Sequence, residues 1–435
     1  MSAISWLQTI EPSLRRKGIE DVEMYLKQGR SRLFEVGPQG VIVSQSSEHG
    51  WAVRGSGLRT SVFIAGTDEP PANGPWPAPD GYPVPLPPAF SVDEWVEPAD
   101  LDAPLLVEAE ALDLLEACAR ELERELSGAR LLRAVLEDGA SESQIANSLG
   151  VETSTRARSA TLFLEAAAAD GASTRITELV AEREGRRFNP ISVSRRLADR
   201  LIIRTRGRQV DRDRAPCLLA PAVAAKILGG ILPLLIGPEA AIRARARVDR
   251  QARLGSEALT IVDDPRLPGG LASASSDGEG VPTRSLLLVE EGTFRRSLVG
   301  WWQVEPRPVQ PAGCSRRPSW REPPRIGPSH LFIRPDRTVA VSSLLAAVTR
   351  GFYFLEALPG VHFDLAADRF SLPVAGFQIE GGRSSRPVSR AVLRGRISAL
   401  LHGVHGVARD LTFFPVGGFL GSPSVLVHGL EIASD

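Results

Sequence analysis

Two carboxylates, Asp277 and Glu279, stand one residue apart within the segment Asp263 to Thr293, DDPRLPGGLASASSDGEGVPTRSLLLVEEGT. Gly278 and Gly280 alternate with them and open backbone dihedrals that other residues avoid. Two acids on such a loop beside a strand could orient a substrate or a metal ligand. A solvated surface loop would have the same composition. Asp264-Pro265 starts a turn, and Gly269-Gly270 frees the backbone after it. Arg284 to Val289 reads as an apolar strand, Glu291-Gly292 as a tight turn, and Phe294 to Val299 as the returning strand. Other chemistry-bearing residues are sparse. His402 and His405 stand three apart in LLHGVHGVARD, but Gly403 and Gly406 oppose a firm helix and no third ligand is near. His49, His330, His362 and His428 are isolated. Cys118, Cys217 and Cys314 are far apart and lack metal-type spacing, which points to a reducing compartment without a disulfide framework. No serine sits in a G-x-S-x-G elbow. Gly55-Ser56-Gly57 is a turn between strands, not a strand-to-helix phosphate loop.

The elements that must position these residues follow from periodicity. Ile4 to Lys17 reads as an amphipathic helix. Asp21 to Ala65 breaks into five strand-like runs, VEMYLK, SRLFEV, GVIVSQS, WAVRGSG and TSVFIAG, an antiparallel meander. Thr67 to Pro98 carries ten prolines and reads as a long loop or linker. Leu105 to Leu126 has helical periodicity. Arg130 to Glu182 returns to strands, Pro190 to Arg204 to helix, and apolar helices at about 220–250 give way to a strand-rich remainder. Gly381 to Pro387 reads as a hairpin turn. Strands in runs and helices in runs, without βαβ alternation, make the fold class α+β. Two domains are expected: 1–190, α+β with the Pro-rich loop 67–98, and 191–435, β-rich with packed helices at about 220–250.

Composition narrows the partners. The net charge of −1 creates no global basic field for nucleic acid or an anionic membrane. All but three of the 51 cationic residues are Arg, the exceptions being Lys17, Lys27 and Lys226. The N-terminus lacks the order of a signal peptide, so a cytoplasmic location is expected. Leu218 to Ile242 is long and apolar, yet Lys226, Pro233 and Pro238 break it, so buried helices are expected there rather than a membrane span. Ser141 to Ser154, SESQIANSLGVETS, has the outline of the second half of a helix-turn-helix, with Thr153 to Arg158 on a recognition helix. The following ETSTRARSATLFLEA alternates like a strand and argues against it.

Several of these pieces together resemble the TldD/PmbA family. KQGRSRLFEVGPQGVIVSQSSEHGWAVR is similar to its opening strands, and IANSLGVETS to a short strand and turn. LPGGLASASSDGEGVPTRSLLLVEEGTF is similar to its D-x-E-G loop and hairpin, and is the strongest match. AGCSRRPSWREPPRIGPSHLFIRP resembles the loop that follows, and VAGFQIEGGRSSRPVSRAVLRG the C-terminal block. The matches keep the family's order over nearly the whole chain. Active members bind zinc through H-E-x-x-x-H on a helix. The corresponding region here, Cys217 to Leu235, holds no His, Glu or Asp.

That absence, with the ending GSPSVLVHGLEI, resembles the TldE-like branch. The resemblance implies a zinc-free, non-catalytic subunit of a heterodimeric metallopeptidase. It implies no metal or cofactor in this chain, with zinc and the general base in a TldD-like partner, and an extended peptide as substrate in a shared cleft. It also implies a peptide-cleft or subunit-contact loop made of Asp277, Gly278, Glu279, Gly280, Thr283 and Gly313. Capping and stiffening of that loop for subunit packing is the competing role. Ser276 where an aromatic is usual, the Pro-rich stretch, Trp301-Trp302 and the basic run SRRPSWR depart from the family. They suggest a specialised paralogue, such as one serving maturation of a peptide natural product. The alternatives are a homodimeric peptide-binding protein without hydrolysis and a DNA-associated regulator resting on residues 141–158.

Overall fold

The structure is a computed structural model that describes residues 2–74, 76, 84–92, 99–168, 174–237, 253–303, 311–415 and 419–433. Helix α1, Ala3–Arg15, starts where the Ser2 hydroxyl accepts from the Ser5 N–H. Leu7, Ile10 and Leu14 recur at helical spacing and bury against a sheet. That sheet holds six strands: β1 Asp21–Gly37, β2 Gly40–Ser56, β3 Ser61–Gly66, β4 Arg130–Asn147, β5 Glu152–Ala167 and β6 Arg175–Glu182. Their order is β3-β2-β1-β4-β5-β6, antiparallel throughout.

The five runs expected between Asp21 and Ala65 are thus three strands, two of them 17 residues long. The physical reason lies on one face. Met24 and Phe34 of β1 point to the covered face. On the other face, Gly29 lies opposite Ser141 and Ser31 opposite Gly139. This open, small-residue floor interrupts the apolar pattern without interrupting the strand.

Helices α2, Glu108–Glu125, and α3, Pro190–Arg206, pack together on the covered face through Leu115, Cys118, Leu122, Leu197 and Leu201. Asn189 caps α3 by accepting from the Ser192 N–H, and Pro190 occupies the first turn, where its missing N–H costs nothing. At its other end Ile203 packs on Leu358 and Ala375, so one helix reaches both cores.

The residues proposed for a helix-turn-helix lie on β4 and β5. The segment from Thr153 to Arg158 is extended backbone paired with Ile145 to Ala140, so there is no recognition helix to dock in a groove. The alternation of ETSTRARSATLFLEA prevailed over the helix-turn-helix outline.

The C-terminal part holds, among the described residues, a six-stranded and a ten-stranded sheet. Helix α4, Pro221–Ile231, lies in their common core and buries Val223, Ala224, Ile227, Leu228 and Ile231. It is 11 residues long, and among the described residues no helix is long and apolar enough to cross a membrane. The expected helical stretch beyond Ile236 falls largely at 238–252, outside the described residues. The strand expected to run from Phe294 to Val299 is only Thr293–Phe294. Glu291 and Gly292 both take positive φ, 48° and 76°, so the tight turn is where it was expected. Gly381 and Gly382 make the same kind of turn between the strands Arg369–Glu380 and Arg383–Gly395.

Candidate functional site

The acidic loop joins the strand Ile261–Asp263 to the strand Leu286–Glu290. It is buried, not solvated. Asp277 Oδ1 accepts from the N–H groups of Glu279 and Val281 at 2.8 and 3.0 Å, and its Oδ2 from the Ser315 N–H at 2.8 Å. Burial and the neighbouring Glu279 push its carboxyl up to about 6, against the pull of those backbone donors. Gly280 has φ of +84°, and a Cβ there would meet Val151 Cγ1 at 2.4 Å. A Cβ on Gly313 would meet the Val281 carbonyl oxygen at 2.4 Å, and one on Gly278 would meet the Ser315 carbonyl oxygen at 3.2 Å. Thr283, fully buried, donates to the Ala274 carbonyl at 2.5 Å. The six residues singled out by resemblance therefore form one packed knot, closed on the far side by the 313–315 backbone.

Glu279 leaves this knot and enters a chain of buried charges. Its Oε1 lies 2.6 Å from Arg54 of β2, and its Oε2 accepts from the Ser315 hydroxyl. Arg54 also binds Glu23 of β1 at 2.9 Å. Glu23 meets Arg317, whose Nε donates to the Gly278 carbonyl at 2.6 Å and whose guanidinium lies over the Tyr25 ring. Both glutamates are 1% exposed. The two guanidiniums hold Glu23 below the usual carboxylate range against strong desolvation. Trp320 follows into the N-terminal sheet beside Tyr25 and Ile145 and donates to Glu48. The basic run SRRPSWR is thus a plug between the two halves. Sequence reasoning missed Glu23, Arg54, Ser315 and Arg317. Glu23 and Arg317 are 294 residues apart, and arginine is too common here to mark any one position.

Against this knot lies a cleft of about 390 Å³. Its walls are Ser273–Ser276 and Gly280 of the acidic loop, Gly150 to Arg156 around the start of β5, and Ala89-Phe90 of the Pro-rich segment. β6 pairs only with residues 160–167, so the β5 edge from Glu152 to Ser159 carries no strand among the described residues. The Pro-rich segment runs along it. The Ala89 N–H donates to Leu149, the Asn147 side chain to the Pro87 carbonyl, and the Ala99 N–H to the Arg156 carbonyl at 3.4 Å. Residues 75, 77–83 and 93–98 of that stretch lie outside the described residues.

The histidines separate into two kinds. His330 is buried; its Nε2 accepts from the Ala272 N–H at 3.1 Å, so its Nδ1 carries the proton given to the Asp264 carbonyl. Burial pulls it down to about 4, a neutral strut under the loop. His402 ends a six-residue helix, Ile397–His402, while His405 lies on the next strand, stacked on His428 with centroids 4.0 Å apart. No group of three or more His, Cys, Asp or Glu among the described residues could hold a metal ion. All three cysteines are buried thiols, and burial raises each.

The family model for the PmbA/TldA metallopeptidase C-terminal domain matches residues 212–434. This chain belongs to the PmbA/TldD family. Its mixed, mostly antiparallel architecture is similar to that of TldE from Thermococcus kodakarensis, with a TM-score of 0.86 at 17% identity over 100% of both chains. In sequence it is similar to a metalloprotease of Methanothermobacter thermautotrophicus, 29% identical over 39% of this chain and 36% of that one. It is also similar to the metalloprotease PmbA of Escherichia coli O157:H7, 22% identical over 49% of this chain and 45% of that one. These sequence matches span less than half the length of either relative. The TldE/PmbA-like resemblance read from the motifs agrees with these findings.

Proposed function

We propose that this PmbA/TldD chain is the zinc-free, peptide-binding half of a two-chain metallopeptidase whose catalytic half is a TldD-like protein. The observation that carries it is the β5 edge from Glu152 to Ser159, which carries no strand among the described residues and faces the acidic loop across the cleft. An extended peptide laid there would add as a strand, through backbone hydrogen bonds that tolerate varied side chains. Ser273, Ala274 and Ser275 leave room opposite. Asp277 and Glu279 stiffen the cleft wall, with their oxygens occupied by backbone, Ser315 and Arg54.

The residues of α4 do not fit a zinc ion. The helix offers Val, Ala, Ile, Leu, Gly and one Lys, and its inward face is packed into the core. Zinc needs imidazole, thiolate or carboxylate donors, and none projects from this helix. Hydrolysis is therefore assigned to the partner, and no catalytic step to this chain. The specialised setting proposed is maturation of a peptide natural product in the cytoplasm.

The test is to purify the chain alone and with a TldD-like protein bearing H-E-x-x-x-H. Metal analysis should find no stoichiometric zinc in the chain alone, and an unstructured peptide should be cleaved only by the pair. Stoichiometric zinc together with cleavage by the single chain would sink the proposal. Binding of the peptide by the chain alone, with no complex formed, would favour a homodimeric binding protein without hydrolysis.

A further inference from the structure

Three aromatic rings gather at one end of the cleft. Two stretches that stand out in the sequence supply them, the Pro-rich segment giving Phe90 and the Trp301-Trp302 pair the other two. The Ala89 N–H donates to the Leu149 carbonyl, which fixes Phe90 at the Gly150 end of the cleft that it lines. Its ring meets Trp301 edge to face, with centroids 6.3 Å apart and planes at 67°. Trp301 meets Trp302 in the same way, at 6.1 Å and 79°. A short 3-10 helix, Trp301–Gln303, holds the pair in place. The Gly300 N–H donates to the Gln303 side chain and the Gln303 N–H to the Gly300 carbonyl, both at 2.9 Å. A Cβ on Gly300 would come within 2.7 Å of the Trp302 ring, so the glycine is what lets that ring lie against the backbone.

The cluster is incomplete by itself. Trp302 is 36% exposed, the one aromatic among the large exposed hydrophobic side chains of the described residues. The Trp301 indole N–H is buried and has no acceptor among the described residues, whereas a buried indole normally has one. Leu149, also exposed, adds apolar surface at the same end. An aromatic side chain seated there would extend the edge-to-face series, and a carbonyl of the same peptide would supply the missing acceptor. The charged residues of the cleft lining, Glu152 and Arg156, have opposite signs, so charge favours neither an acidic nor a basic side chain. We propose that Phe90, Trp301 and Trp302 form a specificity subsite for an aromatic side chain of the peptide laid along β5. This rests on the peptide-binding reading above and narrows its substrate class. Rings held in advance by the Gly300–Gln303 turn lose little freedom on binding, which suits them to anchor a ligand.

Fluorescence anisotropy tests it, with the full chain and labelled Gly/Ser heptapeptides carrying Phe, Ala or Arg at the centre. The Phe peptide should bind about tenfold more tightly than the Ala peptide. Trp302→Ala should abolish that difference and leave the affinity for the Ala peptide unchanged, and Trp302→Phe should keep most of the preference. Acrylamide quenching of the wild-type tryptophan emission is a readout that needs no variant. The Phe peptide should shield the emission and the Ala peptide should not. Equal affinity for the Phe and Ala peptides, an Arg peptide bound as tightly as the Phe peptide, or a preference that survives Trp302→Ala would each overturn the subsite and leave the peptide-binding reading standing. Binding of none of the peptides would overturn both.

Discussion

At the scale of single residues, Arg54 and His330 govern how the acidic loop is held. Arg54 lies between two glutamates that are both 1% exposed. Removing it leaves Glu279 without a cation and Glu23 with Arg317 alone, and breaking such a buried pair costs about 3–5 kcal/mol. Arg54→Ala should therefore lower stability by that amount in urea titration, far more than loss of an exposed pair such as Arg120–Glu116. His330 sets a pH dependence. Its folded pKa, about 4, lies below the ordinary 6.5. Its contribution is fully present above pH 6.5 and is lost as pH falls toward 4, worth about 3 kcal/mol for that shift. Asp277 works in the opposite sense: raised to about 6, its ionisation weakens the fold as pH rises from 4 through 6. His330→Gln should flatten the acid limb of a melting-temperature profile between pH 6.5 and 4, and an unchanged limb would contradict the assignment. The sequence alone marked Asp277 and Glu279, because glycines flank them. It gave no sign of Arg54 or Ser315, whose importance arises only when distant strands close on the loop.

At the scale of elements, what was legible depended on how many faces each element buries. Helices α1, α2 and α3 each bury one stripe, and their periodicity located them to within a few residues. β2 is exposed from Gly40 to His49 and buried from Gly50 to Ser56, and β1 is buried mainly at Val22 to Tyr25 and at Phe34, so one strand looked like two runs. The helix-turn-helix outline failed for a related reason: Asn147, Gly150 and Val151 serve a β-turn, in which the Asn147 side chain accepts from the N–H groups of Leu149 and Val151. That turn carries Val151 against Gly280, which ties the cleft's two walls together. Gly280→Ala adds a methyl at positive φ into Val151, and should cost about 1–3 kcal/mol in thermal or urea unfolding. Thr153→Trp should leave the fold intact and fill the cleft. Peptide affinity measured by fluorescence anisotropy should then fall about tenfold or more, as expected when a strand-addition edge is blocked.

At the scale of the whole molecule, two charge chains, one buried and one part-buried, fasten the N-terminal sheet to the C-terminal part. One is Glu279–Arg54–Glu23–Arg317. The other runs through α3, where Arg200 binds Glu178 of β6 at 2.8 Å and Glu356 of the strand Arg350–Ala357 at 2.7 Å. With α3 packed into both cores, the two halves should melt together in calorimetry. Arg54→Ala/Arg200→Ala should separate the melt into two transitions; a single sharp transition would show that apolar packing alone couples them. The buried thiols make that coupling visible in a different currency. Cys118 is on the buried face of α2 in the N-terminal core, whereas Cys217 and Cys314 lie in the C-terminal core. Folded protein should be silent to a thiol reagent, so each alkylation event dates the opening of the core around it. Mass-spectrometric reading of which cysteine is labelled first gives the order in which the molecule comes apart, without adding a probe.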